Sequence, residues 1–158
     1  MFGSEQINNG VFMNNTNDIL QNVRSVARLY RSYTHAIAKS FSITDAEIEV
    51  LAFLHTNPQY STAKEITEVS LMTKSNVSQA VDRLIYRDML MRERDGEDRR
   101  RIHLYLTDKA TPILNAISYS QREFTRQIVM GFSAQEIEAY VDFNSRIAQN
   151  ALMALNNE

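Results

Sequence analysis

The stretch TKSNVSQAVDRLIYRDMLMRERDGEDRRRIHLYLT, residues 73–107, decides the fold because its hydrophobic period changes midway. From Thr73 to Arg87 the apolar residues Val77, Ala80, Val81, Leu84 and Ile85 recur three and four apart, the spacing of one helix face. Thr73 stands where a helix N-cap belongs, since its hydroxyl can accept a free first-turn amide. From Arg101 to Thr107 polar and apolar residues alternate strictly (Arg-Ile-His-Leu-Tyr-Leu-Thr), the signature of a half-buried strand. Met91 to Arg94 is the expected partner strand, and Asp95-Gly96 has the composition of a tight hairpin turn.

Upstream, Thr62-Ala-Lys-Glu65 is a capping box, in which hydroxyl and carboxylate satisfy each other's backbone amides. It opens a short helix to about Val69, and the brief turn Ser70 to Met72 leads into Thr73. Two helices joined by such a turn and followed by a charged hairpin make a winged helix-turn-helix. A second box, Thr44-Asp-Ala-Glu47, opens a helix through Ile48, Leu51, Ala52 and Leu54 that Asn57-Pro58 ends. Before it, Ile19, Val23, Val26, Ala27, Tyr30, Tyr33, Ala36 and Ile37 repeat at helical spacing from Asp18 to Phe41. Downstream, Thr107 is expected to begin a long helix carrying Ile113, Ile117, Phe124 and Ile128. After Gly131 the box Ser133-Ala-Gln-Glu136 opens a last helix through Ile137, Val141, Ile147, Leu152 and Leu155.

The expected fold is therefore mainly α with a small β-hairpin. Residues 1–17, Asn-rich and weakly patterned, are expected to form a mobile arm; 18–42 a first dimerisation helix; 43–108 the winged lobe; and 109–158 two further dimerisation helices. The terminal helices carry broad apolar stripes that a monomer would leave exposed, which points to a twofold homodimer. Met89 and Met91, at the start of the hairpin, are expected to fill core space.

Composition bounds the function. At 44% hydrophobic and 23% charged residues, with 4 Gly and 2 Pro, the chain suits long helices with short connections. Cysteine is absent, which removes disulfides, thiolate metal sites and thiol redox chemistry. No apolar run approaches the roughly 20 residues of a membrane span, and the first residues lack the features of a secretory signal, so a cytoplasmic protein is expected. The three histidines, His35, His55 and His103, are isolated, and no nucleophilic triad, phosphate loop, paired carboxylates or metal-ligand spacing stands out. No enzyme, no cofactor and no metal is expected.

The net charge of −2 hides an uneven distribution. Between Lys74 and Arg101 lie Lys74, Arg83, Arg87, Arg92, Arg94, Arg99, Arg100 and Arg101 against six acids, while the rest of the chain is net acidic. Local charge is what a phosphate backbone meets. With Val77 inward, about 100° per residue sets Ser75, Gln79, Asp82 and Tyr86 outward, flanked by Asn76 and Arg83. Gln and Asn can pair with adenine, Arg with guanine, Asp with cytosine, and Ser with bases or phosphates. Lys74 and the first-turn amides can hold a phosphate. From the helix alone, an ordinary solvated polar face would look the same. The hairpin tilts the balance: five arginines crowd one turn, although exposed ion pairs contribute only about 0–1 kcal/mol each. Arginines on a protruding ribbon suit the narrow minor groove. His103, on the polar side of the strand, is expected near phosphate.

Thr62-Ala-Lys-Glu-Ile, the run from Thr73 to Leu84, Met89 to Arg92, Asp95-Gly-Glu-Asp-Arg-Arg and Leu104-Tyr-Leu-Thr-Asp-Lys together resemble the multiple antibiotic resistance regulator (MarR) family, over about Ile43 to Ala110. The resemblance implies a triangular homodimer whose lobes each read half of a palindromic duplex operator. It places Ser75, Asn76, Ser78, Gln79 and Arg83 toward the major groove, next to Lys74 of the same helix, and matches Arg99 and Arg100 to the wing, where the hairpin reading adds Arg94 and Arg101, with Asp98 bracing the wing by pairing with Arg100. It also implies a repressor released by a small, often anionic aromatic effector bound beside the dimer helices, for which Arg28, Tyr33, His35 and Tyr119 are the candidate lining. Three positions depart from the family pattern: Asp88 and Ala110 stand where Gly is usual, and Leu71 replaces the Gly of many helix-turn-helix turns. The alternative is a winged helix that binds protein rather than DNA, which would have no use for an arginine-rich wing.

Overall fold

The computed structural model describes residues 9–70, 72–98 and 100–156, with side chains from 16 to 155. The chain separates into two units, 1–124 and 125–158. The elements in order are α1 (Asn9–Phe41), α2 (Asp45–Thr56), α3 (Ala63–Val69), α4 (Lys74–Tyr86), β1 (Leu90–Arg94), β2 (Ile102–Leu106), a 3₁₀ turn (Asp108–Ala110), α5 (Thr111–Ile128) and α6 (Ala134–Asn156). This is the mainly helical chain with one antiparallel hairpin that the sequence implies.

Each helix start read as a cap is one. Thr44 Oγ1 accepts the Glu47 amide at 3.2 Å while Glu47 Oε2 accepts the Thr44 amide at 2.8 Å. Thr62 and Glu65 repeat the exchange at 3.2 and 2.8 Å. Ser133 and Glu136 do so at 3.3 and 2.7 Å. Thr73 takes the Asn76 amide at 3.3 Å. Such caps satisfy amides that have no partner inside the helix, each contributing about 1 kcal/mol.

The helices enclose a core of Ile48, Val50 and Leu51 from α2, Ile66 from α3, and Val77, Ala80, Val81 and Leu84 from α4. Leu90 and Leu104 of the hairpin and Ile113 and Ile117 of α5 complete it. The register pairs Leu90 with Leu106, Arg92 with Leu104 and Arg94 with Ile102. Met89 packs against this core. Met91 does not: it pairs with Tyr105 on the outer face of the ribbon and is 49% exposed, because the alternation of a strand sends it away from Leu90.

Several boundaries differ from the sequence reading. The first helix begins at Asn9, so residues 9–17, assigned to an arm, are helical. Their Asn content lowers intrinsic propensity but imposes no steric stop, and a helix already formed downstream propagates through them. The long helix expected at Thr107 starts instead at Thr111 after the 3₁₀ turn. Pro112 explains the shift, since a residue without an amide hydrogen must sit in the first turn. Thr107 turns its hydroxyl to the Asp88 carbonyl at 2.5 Å. Ala110, at a position where the resemblance expects Gly, is fully buried.

Asp88 takes the left-handed conformation, φ 57°, that glycine would occupy after α4. The turn is closed by Asp88 N–H to Ile85 C=O and Met89 N–H to Leu84 C=O, both 2.9 Å, and by Lys109 Nζ on Asp88 Oδ2 at 2.8 Å. Asp tolerates this region better than most residues; a β-branched side chain does not. Asp88→Val is therefore expected to cost about 1–3 kcal/mol in a denaturant melt, and Asp88→Gly less than about 1 kcal/mol.

One buried charge sits beneath this turn. Glu47 is 1% exposed; its Oε1 makes no hydrogen bond among the described residues and faces Arg87 Nε at 3.5 Å. Arg87 also donates to the Ser42 carbonyl at 3.0 Å, so it fastens the end of α4 to the start of α2. Along α1, by contrast, Ile19, Leu20 and Val23 are exposed. In the second unit Val141, Phe143, Ile147, Leu152, Met153 and Leu155 are 55–68% exposed along α6.

Candidate nucleic-acid interface

The residues assigned to the major groove share one surface. Lys74, Ser75, Asn76, Ser78, Gln79 and Arg83 are all exposed on α4, while Val77, Ala80, Val81 and Leu84 hold its other face in the core. The helix is thus anchored by its apolar side and presents its polar side as a rigid unit. Gln79 Nε2 donates to Ser75 Oγ at 3.2 Å, which orders both groups before any base is met. Between α3 and α4 runs a groove of about 480 Å³ lined by Lys64, Thr67, Lys74 and Ser78. Asp82, the candidate for cytosine, is already engaged: it accepts from Arg92 of β1. That pair ties α4 to β1.

The wing turn is not the two-residue turn expected from Asp95-Gly96. Strand pairing stops at Arg94 and Ile102, leaving the longer loop 95–101. Its organiser is the Asp95 carboxylate, whose Oδ1 accepts the Glu97 and Asp98 amides, both at 2.8 Å. Asp95 N–H to Arg101 C=O at 3.0 Å and Arg101 N–H to Asp98 C=O at 2.8 Å close the loop. An Asp side chain that substitutes for the backbone in this way relieves Gly96 of any need for a left-handed conformation.

Arg94, Asp98, Arg100 and Arg101 all lie on this ribbon, exposed. Asp98 Oδ1 accepts the Arg100 backbone amide at 3.0 Å, a contact within the loop that leaves the Arg100 guanidinium unpaired among the described residues. Arg101 leans back to Glu65 Oε1 at 3.5 Å, across a cleft of about 560 Å³ between α3 and the wing. Arg99 lies outside the described residues, as does Leu71.

His103 is not out toward phosphate. It is largely buried, with Nδ1 at 2.6 Å from Ser61 Oγ and Nε2 at 2.9 Å from Asp95 Oδ2. Sequence reading missed this trio because Ser61 lies 42 residues before His103; only pairing of β2 beside α3 brings them together. The one available signal was a histidine placed among the alternating positions of a strand.

Charge here is set by amides. Amide donation from Asp98, then the His103 ring and the Glu97 amide, hold the Asp95 carboxyl well below the usual carboxylate range. Glu65 is lowered first by the Ser61 amide, then by Thr62 and Arg101. A carboxyl depressed in the folded state contributes stability that is whole above its unfolded value, about 4, and is lost as pH falls toward its folded one. The stability gap between the wild type and Asp95→Asn, measured by urea melts, is therefore expected to be constant near neutrality and to shrink below about pH 4.

The effector candidates lie on two helices, α1 and α5. His35 pairs with Asp45 at 3.2 Å and is 71% exposed at its side chain. Tyr119 is 61% exposed on α5, Arg28 is exposed on α1, and Tyr33 is half-buried there. None of the four lines the α3–wing cleft, the α3–α4 groove, or a third cleft of about 570 Å³ bounded by Ser42, Glu47, Arg83 and Arg87. Among the described residues no group of His, Cys, Asp and Glu could hold a metal ion, and no helix is long and apolar enough to cross a membrane.

Comparison with known proteins gives this geometry its context. Residues 41–101 match the model of the MarR family. The chain is 31% identical over 88 residues to the HTH-type transcriptional regulator MgrA of Staphylococcus aureus, covering 56% of this chain and 59% of that one. To the HTH-type transcriptional regulator YkoM of Bacillus subtilis it is 33% identical over 98 residues, covering 60% and 62%. The chain thus spans about three fifths of the length of the curated relatives it matches. Among solved structures, a MarR transcriptional regulator from Methanosarcina mazei superposes with TM-score 0.73 at 16% identity, over 87% of this chain and 98% of that one. A MarR family regulator from Listeria monocytogenes, solved in complex with a 26mer DNA, gives 0.74 at 16% identity over 83% and 87%.

Proposed function

We propose that this chain, whose winged helix-turn-helix at residues 41–101 is that of the MarR family of transcriptional regulators rather than of any enzyme, reads duplex DNA as a homodimer and represses transcription until a small effector releases it. The observation that carries the reading is the division of α4 into a buried apolar face and an exposed row of Lys74, Ser75, Asn76, Ser78, Gln79 and Arg83, set beside a ribbon of arginines. In this reading the row enters the major groove and Gln79 and Asn76 contact base edges. Arg94, Arg99, Arg100 and Arg101 follow the adjacent minor groove, where negative potential is enhanced. The exposed apolar side chains of α1 and α6 supply the subunit contact, and a twofold axis sets the two recognition helices about 34 Å apart. The Listeria regulator's complex with DNA supports the choice of partner. An anionic aromatic effector near Arg28, Tyr33, His35 and Tyr119 follows from the family resemblance, as does a cytoplasmic location.

Selection from a randomised duplex pool tests the reading. A palindrome with half-sites about one turn apart supports it; no enrichment, with weak salt-insensitive binding, transfers the fold to a protein-binding role. On the recovered site, Gln79→Ala is expected to relax preference at one base position per half-site, costing about 1–3 kcal/mol against the preferred base only. A uniform loss across sequences would remove Gln79 from base readout.

A further inference from the structure

The wing of a DNA reader must be held at a fixed angle to the recognition helix, or its arginines cannot reach the groove that α4 dictates. The hairpin is short and open to solvent along much of its length: Met91, Arg92, Glu93, Arg94, Ile102 and Tyr105 are exposed, with Arg92 tied to Asp82 of α4. Apolar packing fixes its base, through Leu90 and Leu104, and not its tip. What reaches from the tip back to the helices is polar. Asp95, which builds the loop with Oδ1, spends Oδ2 on His103 Nε2 at 2.9 Å. His103 Nδ1 meets Ser61 Oγ at 2.6 Å, and the Ser61 carbonyl accepts the Leu104 amide at 2.7 Å. Ser61 also donates its amide to Glu65 Oε2 at 2.9 Å, and Glu65 Oε1 faces Arg101 at 3.5 Å.

We infer that Ser61, His103 and Asp95 are positioning residues that set the wing on DNA, so that the reach of Arg94 and Arg100 depends on an imidazole none of whose atoms touches the duplex. Both His103 contacts are satisfied at once when Nε2 carries the proton: Nε2–H donates to Asp95 and Nδ1 accepts the Ser61 hydroxyl. The depressed Asp95 carboxyl keeps the acceptor charged, and a charge-assisted bond holds the ring more firmly than a neutral one. The imidazole links the loop tip to the residue just before the α3 N-cap, and through α3 to the helix-turn-helix. Loss of any one member frees the loop to swing on its two strands while the core stays whole.

This inference rests on the DNA-reading function, and the experiment separates the two. Affinity for the selected operator is measured against salt for the wild type, His103→Val, His103→Gln and Ser61→Ala, each alone and combined with Arg100→Ala, with a thermal melt of each. His103→Val is expected to bind about 10-fold more weakly and to lower the salt slope by about 1–2, the loss of one phosphate contact per wing. Ser61→Ala, which removes only a hydroxyl, should move both in the same direction. His103→Gln, whose amide can still donate to Asp95, should recover part of the loss. Adding Arg100→Ala to His103→Val should cost less than it costs the wild type, the non-additivity of coupled residues. Wild type that binds with a steep salt slope, while the His103 and Ser61 variants are folded and unaltered, overturns the relay and leaves the DNA reading intact. Equal cost of Arg100→Ala in both backgrounds also overturns it, since His103 would then act on stability alone. Absence of salt-dependent binding in the wild type overturns both.

Discussion

Replacing Arg94 and Arg100 together with alanine is expected to weaken operator binding by about 100-fold, close to 3 kcal/mol, and to lower the salt slope by about 2–4 for the dimer. Both side chains are exposed on the ribbon, and among the described residues neither guanidinium is committed to an ion pair. That sets them apart from Arg92, held by Asp82, and Arg101, turned toward Glu65. Arginines with no ion pair to break can turn to phosphate and release the counterions condensed on the DNA. Because neither packs in the core, the melting temperature is expected to move by no more than about 2 °C. Fluorescence titration across a salt series reads the affinity and slope, and calorimetry reads the melt. An unchanged affinity would take the wing out of DNA recognition; a large fall in melting temperature would show that these charges serve the fold.

The second large effect falls on the buried face of α4. Leu84 is fully buried on α4. Truncation to alanine removes that contact area and leaves a cavity, so Leu84→Ala is expected to cost about 2–5 kcal/mol. Ser78→Ala, on the exposed face, is expected to stay within about 0.5 kcal/mol in stability while weakening DNA binding. Urea melts with operator titrations on both variants check this division. If Ser78→Ala destabilised and Leu84→Ala did not, the two faces of α4 would have been assigned the wrong way round.

How much of this was legible in the sequence depends on how local each signal is. The four caps at Thr44, Thr62, Thr73 and Ser133 were readable because partners three residues apart form the whole device. The hairpin strands and the polar face of α4 were readable because periodicity needs only neighbours. The start of α1 was not, since Asn discourages a helix without forbidding one. Asp95-Gly96 looked like a tight turn, yet the Asp95 side chain, by capping two amides itself, stabilised a longer loop. Thr107 reads as the start of a long helix, but Pro112 sets the first turn of α5 further on.

Long-range pairings were the least legible. Nothing near Asp82 shows that Arg92 will take it, and nothing near His103 points to Ser61; both follow from where the ribbon folds back. Asp82 is paired with Arg92 rather than free, and His103 is tied to Ser61 and Asp95 rather than turned outward. The effector candidates Arg28, Tyr33, His35 and Tyr119 were chosen by helix position alone. They line none of the clefts bounded by Thr62 and Arg101, by Ala63 and Ser78, and by Ser42 and Arg87.

The central claim is that two copies of this chain read two half-sites on one face of the duplex. The most direct test compares affinity for the selected operator with affinity for the same half-sites separated by about five extra base pairs, half a helical turn. The account predicts tight, steeply salt-dependent binding to the first and a loss of about 1,000-fold or more, to the level of random DNA, on the second. Equal affinity for both would contradict it, because a rigid twofold pair of recognition helices cannot follow a half-site to the opposite face.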